Sequence, residues 1–122
     1  MEELSREFIP GPEFSALAMG SGDLEVLATP AVVAFSENTC KDLIVPSLAA
    51  TETSVGTQIN LQHLQATKIG IPLTVVVHLV ERTKNILNYE IEVFSEDRLI
   101  AKGQHQRAVV AQERFLNRLN KK

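Results

Sequence analysis

Residues 29–45 read Thr-Pro-Ala-Val-Val-Ala-Phe-Ser-Glu-Asn-Thr-Cys-Lys-Asp-Leu-Ile-Val. This is the one long helical segment in an otherwise β-like chain, so its reading decides the fold. Thr29 is a good N-cap, because its hydroxyl can accept from a free first-turn amide. Pro30 suits the first helical position, where no backbone N–H is needed. No Gly or Pro interrupts residues 31–45, and Val33, Cys40 and Ile44 recur at helical spacing. Pro46 marks a kink or a stop. The stretch predicts one helix of about 15–17 residues.

Downstream of it the period changes to two. Over residues 53–65, Val55, Thr57, Ile59, Leu61 and His63 fall on one side, and Gln58, Asn60 and Gln62 on the other. That alternation marks a half-buried strand. Residues 72–82 are valine-rich and read as a second strand, followed by a turn at Thr83-Lys84-Asn85. Residues 86–94 alternate again, with Leu87, Tyr89, Ile91 and Val93 on one face. A turn at 95–98 leads into a last strand at 99–110, and residues 113–121 have the composition of a short helix, basic at its end.

Upstream, the first 28 residues read as irregular. Pro10-Gly11-Pro12 and Gly20-Ser21-Gly22-Asp23 are turn signals, and the segment between them, 13–19, reads as a short strand. The whole chain, 1–122, is expected to be a single α+β domain: one helix against an antiparallel five-stranded sheet. One helix covers only part of such a sheet, so a second copy of the chain is expected to cover the rest.

Composition narrows the function classes. The chain has 122 residues, a formal charge of −3, 44% hydrophobic and 22% charged residues. That is ordinary globular composition. The mild acidity argues against a nucleic-acid partner, which calls for a basic surface. Cys40 is the only cysteine, which excludes an internal disulfide and argues against a thiolate metal site. The acidic N-terminus carries no secretory pattern. The most apolar run, 71–80, is about half a membrane span and contains Pro72 and His78. The expectation is a cytoplasmic protein with no membrane partner.

Three residues could carry chemistry. Glu37 shares a helix face with Pro30, Val33, Cys40 and Ile44, and Lys41 follows one turn on. It is either an exposed carboxylate paired to Lys41 or a carboxylate facing a cavity, its proton affinity raised by desolvation. His63 shares a strand face with Ile59 and Leu61. It is either a core histidine satisfied by a carbonyl or a general base. Thr29 has a complete explanation as a cap unless its hydroxyl also faces the other two. A hydroxyl, a carboxylate and an imidazole are the parts needed for acyl transfer or hydrolysis. His105 and Arg107 share a face and could hold an anion or meet a partner copy. His78 reads as a strand-surface residue, and Cys40 as a small core residue. No metal-ligand spacing or phosphate loop is present in the sequence.

Taken together, Thr29-Pro30 through Glu37, Ser54-Val55-Gly56-Thr57 through His63, and Gly103 through Val110 resemble the fluoroacetyl-CoA thioesterase-like branch of the hotdog-fold thioesterases. The similarity runs from about Thr29 to Phe115. It implies a hotdog fold, a curved antiparallel sheet wrapped around a central helix. It also implies a homodimer, or a tetramer built from it, with acyl-CoA sites at the subunit interface. The branch's catalytic threonine, glutamate and histidine fall on Thr29, Glu37 and His63. Gly56 and Arg107 match its glycine and final-strand arginine and are taken as substrate-binding. The implied reaction is hydrolysis of a small or medium acyl-CoA, with no cofactor and no metal, since CoA is part of the substrate. The alternative is a non-catalytic acyl-CoA sensor on the same fold. Pro30 departs from the branch's pattern, and its lid is not recognisable in residues 1–28, so fluoroacetyl selectivity is not carried over. Lys68, Arg82, Lys84 and Lys102 are basic candidates for the CoA phosphates.

Overall fold

A computed structural model describes residues 2–121. Five strands form one antiparallel sheet in the order β1-β3-β4-β5-β2. They are β1 (Glu2–Phe8), β2 (Glu52–His63), β3 (Leu73–Thr83), β4 (Ile86–Ser95) and β5 (Arg98–Ala111). The helices are α1 (Ala16–Met19), α2 (Thr29–Ile44) and α3 (Gln112–Leu119). None of them is long and apolar enough to cross a membrane.

The long helix α2 lies on one face of the sheet. Its buried residues, Ala31, Val32, Phe35, Ser36, Thr39, Cys40, Leu43 and Ile44, recur every three or four positions. That places them on one stripe. The stripe packs against Leu73, Val75 and Val77 of β3 and Leu87, Tyr89, Ile91 and Val93 of β4. Two polar residues on it satisfy their hydroxyls locally: Ser36 donates to the Val32 carbonyl and Thr39 to the Phe35 carbonyl. Without those bonds each buried hydroxyl would destabilise the core. The helix ends in a 3-10 turn at Val45–Ser47 around Pro46, where the missing N–H stops further winding.

Several expectations change. The first strand is not at 13–19. Residues 12–14 form a 3-10 turn and 16–19 form α1, because the Ser15 hydroxyl caps the short helix at the Ala18 amide and Gly20 closes it at φ +74. The fifth strand is β1, whose Leu4 and Phe8 pack on the core while Arg6 pairs with Asp42 of α2. Phe8 stacks on Phe35 at 4.6 Å, and Phe14 meets the same ring edge-on at 4.9 Å. These contacts tie the N-terminal segment to α2.

The β2 alternation also breaks. A bulge between Gly56 and Gln58 shifts the register against β5, so Thr57 is exposed rather than inward. An extra residue in a period-two strand reverses the facing of one side of the bulge relative to the other, so Val55 leaves the side it was expected to share with Ile59 and Gly56 joins it. Gly56 then lies under the helix, on the side shared by Ile59, Leu61 and His63. At Gly103 β2 and β5 leave no room for a side chain. A Cβ there would run into the Asn60 carbonyl and lie 2.8 Å from Leu61 Cα.

Candidate functional site

The expected site residues separate into two groups along α2. At its N-terminal end Thr29 is not the cap. Ala28 is, with extended backbone (ψ 141), and Thr29 begins the helix. The Ala28 carbonyl accepts from the amides of Ala31 and Val32. Released from capping, the Thr29 hydroxyl lies 2.8 Å from His63 Nδ1.

His63 ends β2. Its Nε2 is buried and has no hydrogen-bond partner among the described residues. Burial also pushes its pKa below the ordinary 6.5, so the ring is neutral at pH 7. An orphaned buried imidazole nitrogen costs about 1–3 kcal/mol, which a catalytic or ligand-binding role would explain. Beside this pair is a hollow of about 290 Å³ lined by Ala16, Ser21, Val26, Leu27, Thr29, His63 and Ala66.

The second group lies two turns further along α2. Glu37 is half-buried and forms no ion pair among the described residues. Of the two alternatives for Glu37, the Lys41 pairing is absent, since Lys41 turns to Asp42 at 3.5 Å. Glu37 instead faces Gly56 on β2. A Cβ on Gly56 would lie 3.8 Å from Glu37 Oε1, 3.6 Å from Arg107 Nη1 and 3.3 Å from His105 Cε1. A glycine here keeps the space between a carboxylate and a guanidinium open.

Arg107 is 6% exposed and held on three sides. Nε donates to Ser54 Oγ at 2.8 Å, Nη2 to the Ser54 carbonyl at 2.9 Å, and Nη1 to His105 Nε2 at 3.1 Å. A guanidinium has five N–H donors, so some remain free. Cys40 is completely buried, and burial pushes its thiol up to about 12. It stays protonated and is not a nucleophile.

The structure therefore joins Thr29 to His63, and Glu37 to Gly56 and Arg107, but keeps the two groups apart within one chain. Eight helical residues separate Thr29 from Glu37, about 12 Å of axis. Gly56 and His63 stand roughly 20 Å apart along β2. His105, expected to share a face with Arg107 and to hold an anion or meet a partner copy, lies buried beside that arginine with its Nε2 toward Nη1.

Among the basic candidates, Lys68 bridges Val26 beside the hollow, and Arg82 donates to Ser47 Oγ at 3.3 Å. Lys84 sits at the hairpin tip with φ 57. Lys102 is opposite Glu92 on the outer face of the sheet, four residues after the start of β5.

The family described as fluoroacetyl-CoA-specific thioesterase (FlK) matches residues 12–113. A fluoroacetyl-CoA thioesterase from Streptantibioticus cattleyicolor is 32% identical over 98 residues, 80% of this chain and 70% of that protein. A crystal structure of the fluoroacetyl-CoA thioesterase FlK superposes with a TM-score of 0.91 at 27% identity, covering 97% of this chain and 92% of that one. A thioesterase superfamily member from Thermus thermophilus shares the fold, with a TM-score of 0.86 at 24% identity over 96% of this chain and 89% of its own.

Proposed function

The chain belongs to the fluoroacetyl-CoA-specific thioesterase family, and from that premise we propose that it hydrolyses a small or medium acyl-CoA to a carboxylic acid and CoA. The sheet and central helix are those of the hotdog thioesterases, and the chain is a thioester hydrolase. The observation that carries the site assignment is His63: one ring nitrogen is held by Thr29 and the other is buried without a partner among the described residues.

The two groups meet if β2 pairs with its own copy. β2 is a sheet edge with one neighbour, and between Thr53 and His63 it carries no Asp, Glu, Lys or Arg. The opposite edge, β1, carries Glu2, Glu3, Arg6 and Glu7. Charge blunts an edge, so the uncharged one is the edge that pairs. Antiparallel pairing about a twofold near Ile59 and Asn60 sets His63 of one copy beside Gly56 and Glu37 of the other. A homodimer with two composite sites follows.

In such a site the thioester carbonyl sits over Gly56. Glu37 either attacks the carbonyl carbon, expelling CoA thiolate and leaving a mixed anhydride for water to open, or takes a proton from the attacking water. The free N–H groups of Arg107 stabilise the developing oxyanion. The partner's His63, neutral at working pH, accepts the water's proton in the anhydride route, or relays the proton that Glu37 has taken to the departing CoA thiolate in the direct route, and Thr29 fixes its ring. The hollow of about 290 Å³ beside Thr29 and His63 takes up part of the bound acyl-CoA. No cofactor is required, since water is the only co-substrate.

Thiol release from acyl-CoAs of increasing chain length, with wild type, Glu37→Gln and His63→Ala side by side, tests the reading. The expected result is turnover by wild type, and losses of about a hundredfold or more in both variants, each tenfold being about 1.4 kcal/mol of barrier. No turnover of any thioester by folded protein, together with tight acyl-CoA binding, would identify a sensor instead.

A further inference from the structure

We propose that His105 is a positioning residue that sets the plane and direction of the Arg107 guanidinium over Gly56. The inference rests on the proposed hydrolysis and goes beyond it to a residue that does not touch the substrate.

The hydrogen-bond partners fix the chemical state of this ring. His105 is 3% exposed. Its Nδ1 lies 2.7 Å from the Gln58 carbonyl oxygen. A carbonyl can only accept, so Nδ1 carries the proton. Arg107 Nη1 lies 3.1 Å from Nε2. A guanidinium can only donate, so Nε2 is the acceptor. Both partners are satisfied by one species, the neutral ring protonated at Nδ1. Protonating Nε2 would set two donors against each other.

Gln58 is the residue just past the bulge in β2, so the bulge aims its carbonyl at His105. The ring is braced on its other side by Tyr89, at a centroid distance of 6.1 Å and an angle of 27°. The charged and titratable groups around it are Arg107 on its own strand, Glu37 from α2 and Tyr89 from β4; β2 contributes the Gln58 carbonyl. Burial first, and the Arg107 charge after it, hold the His105 pKa below 6.5, so the accepting form prevails at pH 7. With Ser54 fixing Nε and Nη2, His105 is the contact that holds Nη1, the nitrogen facing the space above Gly56.

The test is acyl-CoA turnover by wild type, His105→Phe, His105→Gln, Arg107→Ala and the double variant His105→Phe/Arg107→Ala. Phe keeps a ring against Tyr89 and removes the acceptor, whereas Gln restores an amide oxygen for Arg107. The expected result is a kcat about 30-fold lower for Phe, about 2 kcal/mol at 1.36 kcal/mol per decade, with KM within about threefold. Gln recovers most of it. The double variant is no slower than Arg107→Ala, because His105 acts only through that side chain. Wild-type kcat in His105→Phe, or losses that multiply in the double variant, would overturn the proposal while leaving the hydrolase reading intact.

Imidazole nitrogen NMR of the full wild-type chain supplies a readout independent of how the variants fold. The neutral Nδ1–H tautomer is expected at pH 7, and an Nε2–H tautomer refutes the arrangement. If wild type turns over no acyl-CoA at all, the hydrolase reading fails first, and the catalytic purpose of His105 fails with it.

Discussion

Replacing Gly56 by alanine should separate activity from stability. The added methyl would lie 3.3 Å from His105 Cε1, 3.6 Å from Arg107 Nη1 and 3.8 Å from Glu37 Oε1. Only the first contact is tight, by a fraction of an ångström, and the Gly56 backbone lies outside the left-handed region. Small overpacking therefore opposes the gain from a less flexible unfolded chain, which is about 0.4–1 kcal/mol. Net stability should change by less than about 1 kcal/mol.

The effect on turnover is different. The methyl occupies the point flanked by the carboxylate and the guanidinium, where the thioester carbonyl is proposed to sit. Displacing that carbonyl by about 1 Å lowers the rate by about a hundredfold. The assay pairs thermal unfolding with kcat and KM on the best acyl-CoA. The expected result is a melting temperature within about 5 °C of wild type with kcat/KM about a hundredfold lower. Wild-type turnover in a folded Gly56→Ala protein would refute the placement of the reacting carbonyl between Glu37 and Arg107.

Three further outcomes are expected. Gly103→Ala should fail differently, because its Cβ meets strand backbone rather than side-chain tips: overpacking of about 1–3 kcal/mol or more should lower the melting temperature by several degrees, read by calorimetry, and an unchanged melt would contradict the close approach of β2 and β5. His63 and His105 are both held below their ordinary 6.5, first by burial. The unfolded chain takes up their protons first, so the stability they confer is complete above pH 6.5 and is lost as the pH falls below it; melts from about pH 8 to pH 5 should fall on the acid side, and less steeply in His105→Gln. Lys68→Glu, beside the hollow, should raise KM for acyl-CoA several-fold with little change in kcat, as expected for a CoA phosphate contact, and should leave hydrolysis of a thioester lacking the nucleotide unaffected.

The sheet was legible in the sequence wherever one face is buried and the other solvated. Leu87, Tyr89, Ile91 and Val93 alternate because β4 is central, and each of them is buried. The 29–45 stretch was legible because its apolar stripe and its flanking prolines agree. The strand β1 was not, because an edge strand has one neighbour and tolerates charge on both faces. Leu4 and Phe8 alone carry its inward signal, and the Arg6 between them spends its charge on Asp42. The bulge at Thr57 was hidden for a similar reason. Its cause is a register difference against β5, a partner more than forty residues away in sequence.

That bulge also explains why the site residues could be named more readily than arranged. Strict alternation puts Gly56 on the opposite face from His63, and with it the opening that Glu37 and Arg107 share. One extra residue turns Gly56 under the helix while leaving Ile59, Leu61 and His63 where the pattern put them. The same irregularity directs the Gln58 carbonyl to His105, and so fixes the tautomer that can hold Arg107. Thr29 shows the complementary case. Its position one residue inside the helix removes it from capping and frees its hydroxyl for His63. In both places a local rule gives way where the geometry serves the chemistry, as is expected when a fold yields regularity to a functional site.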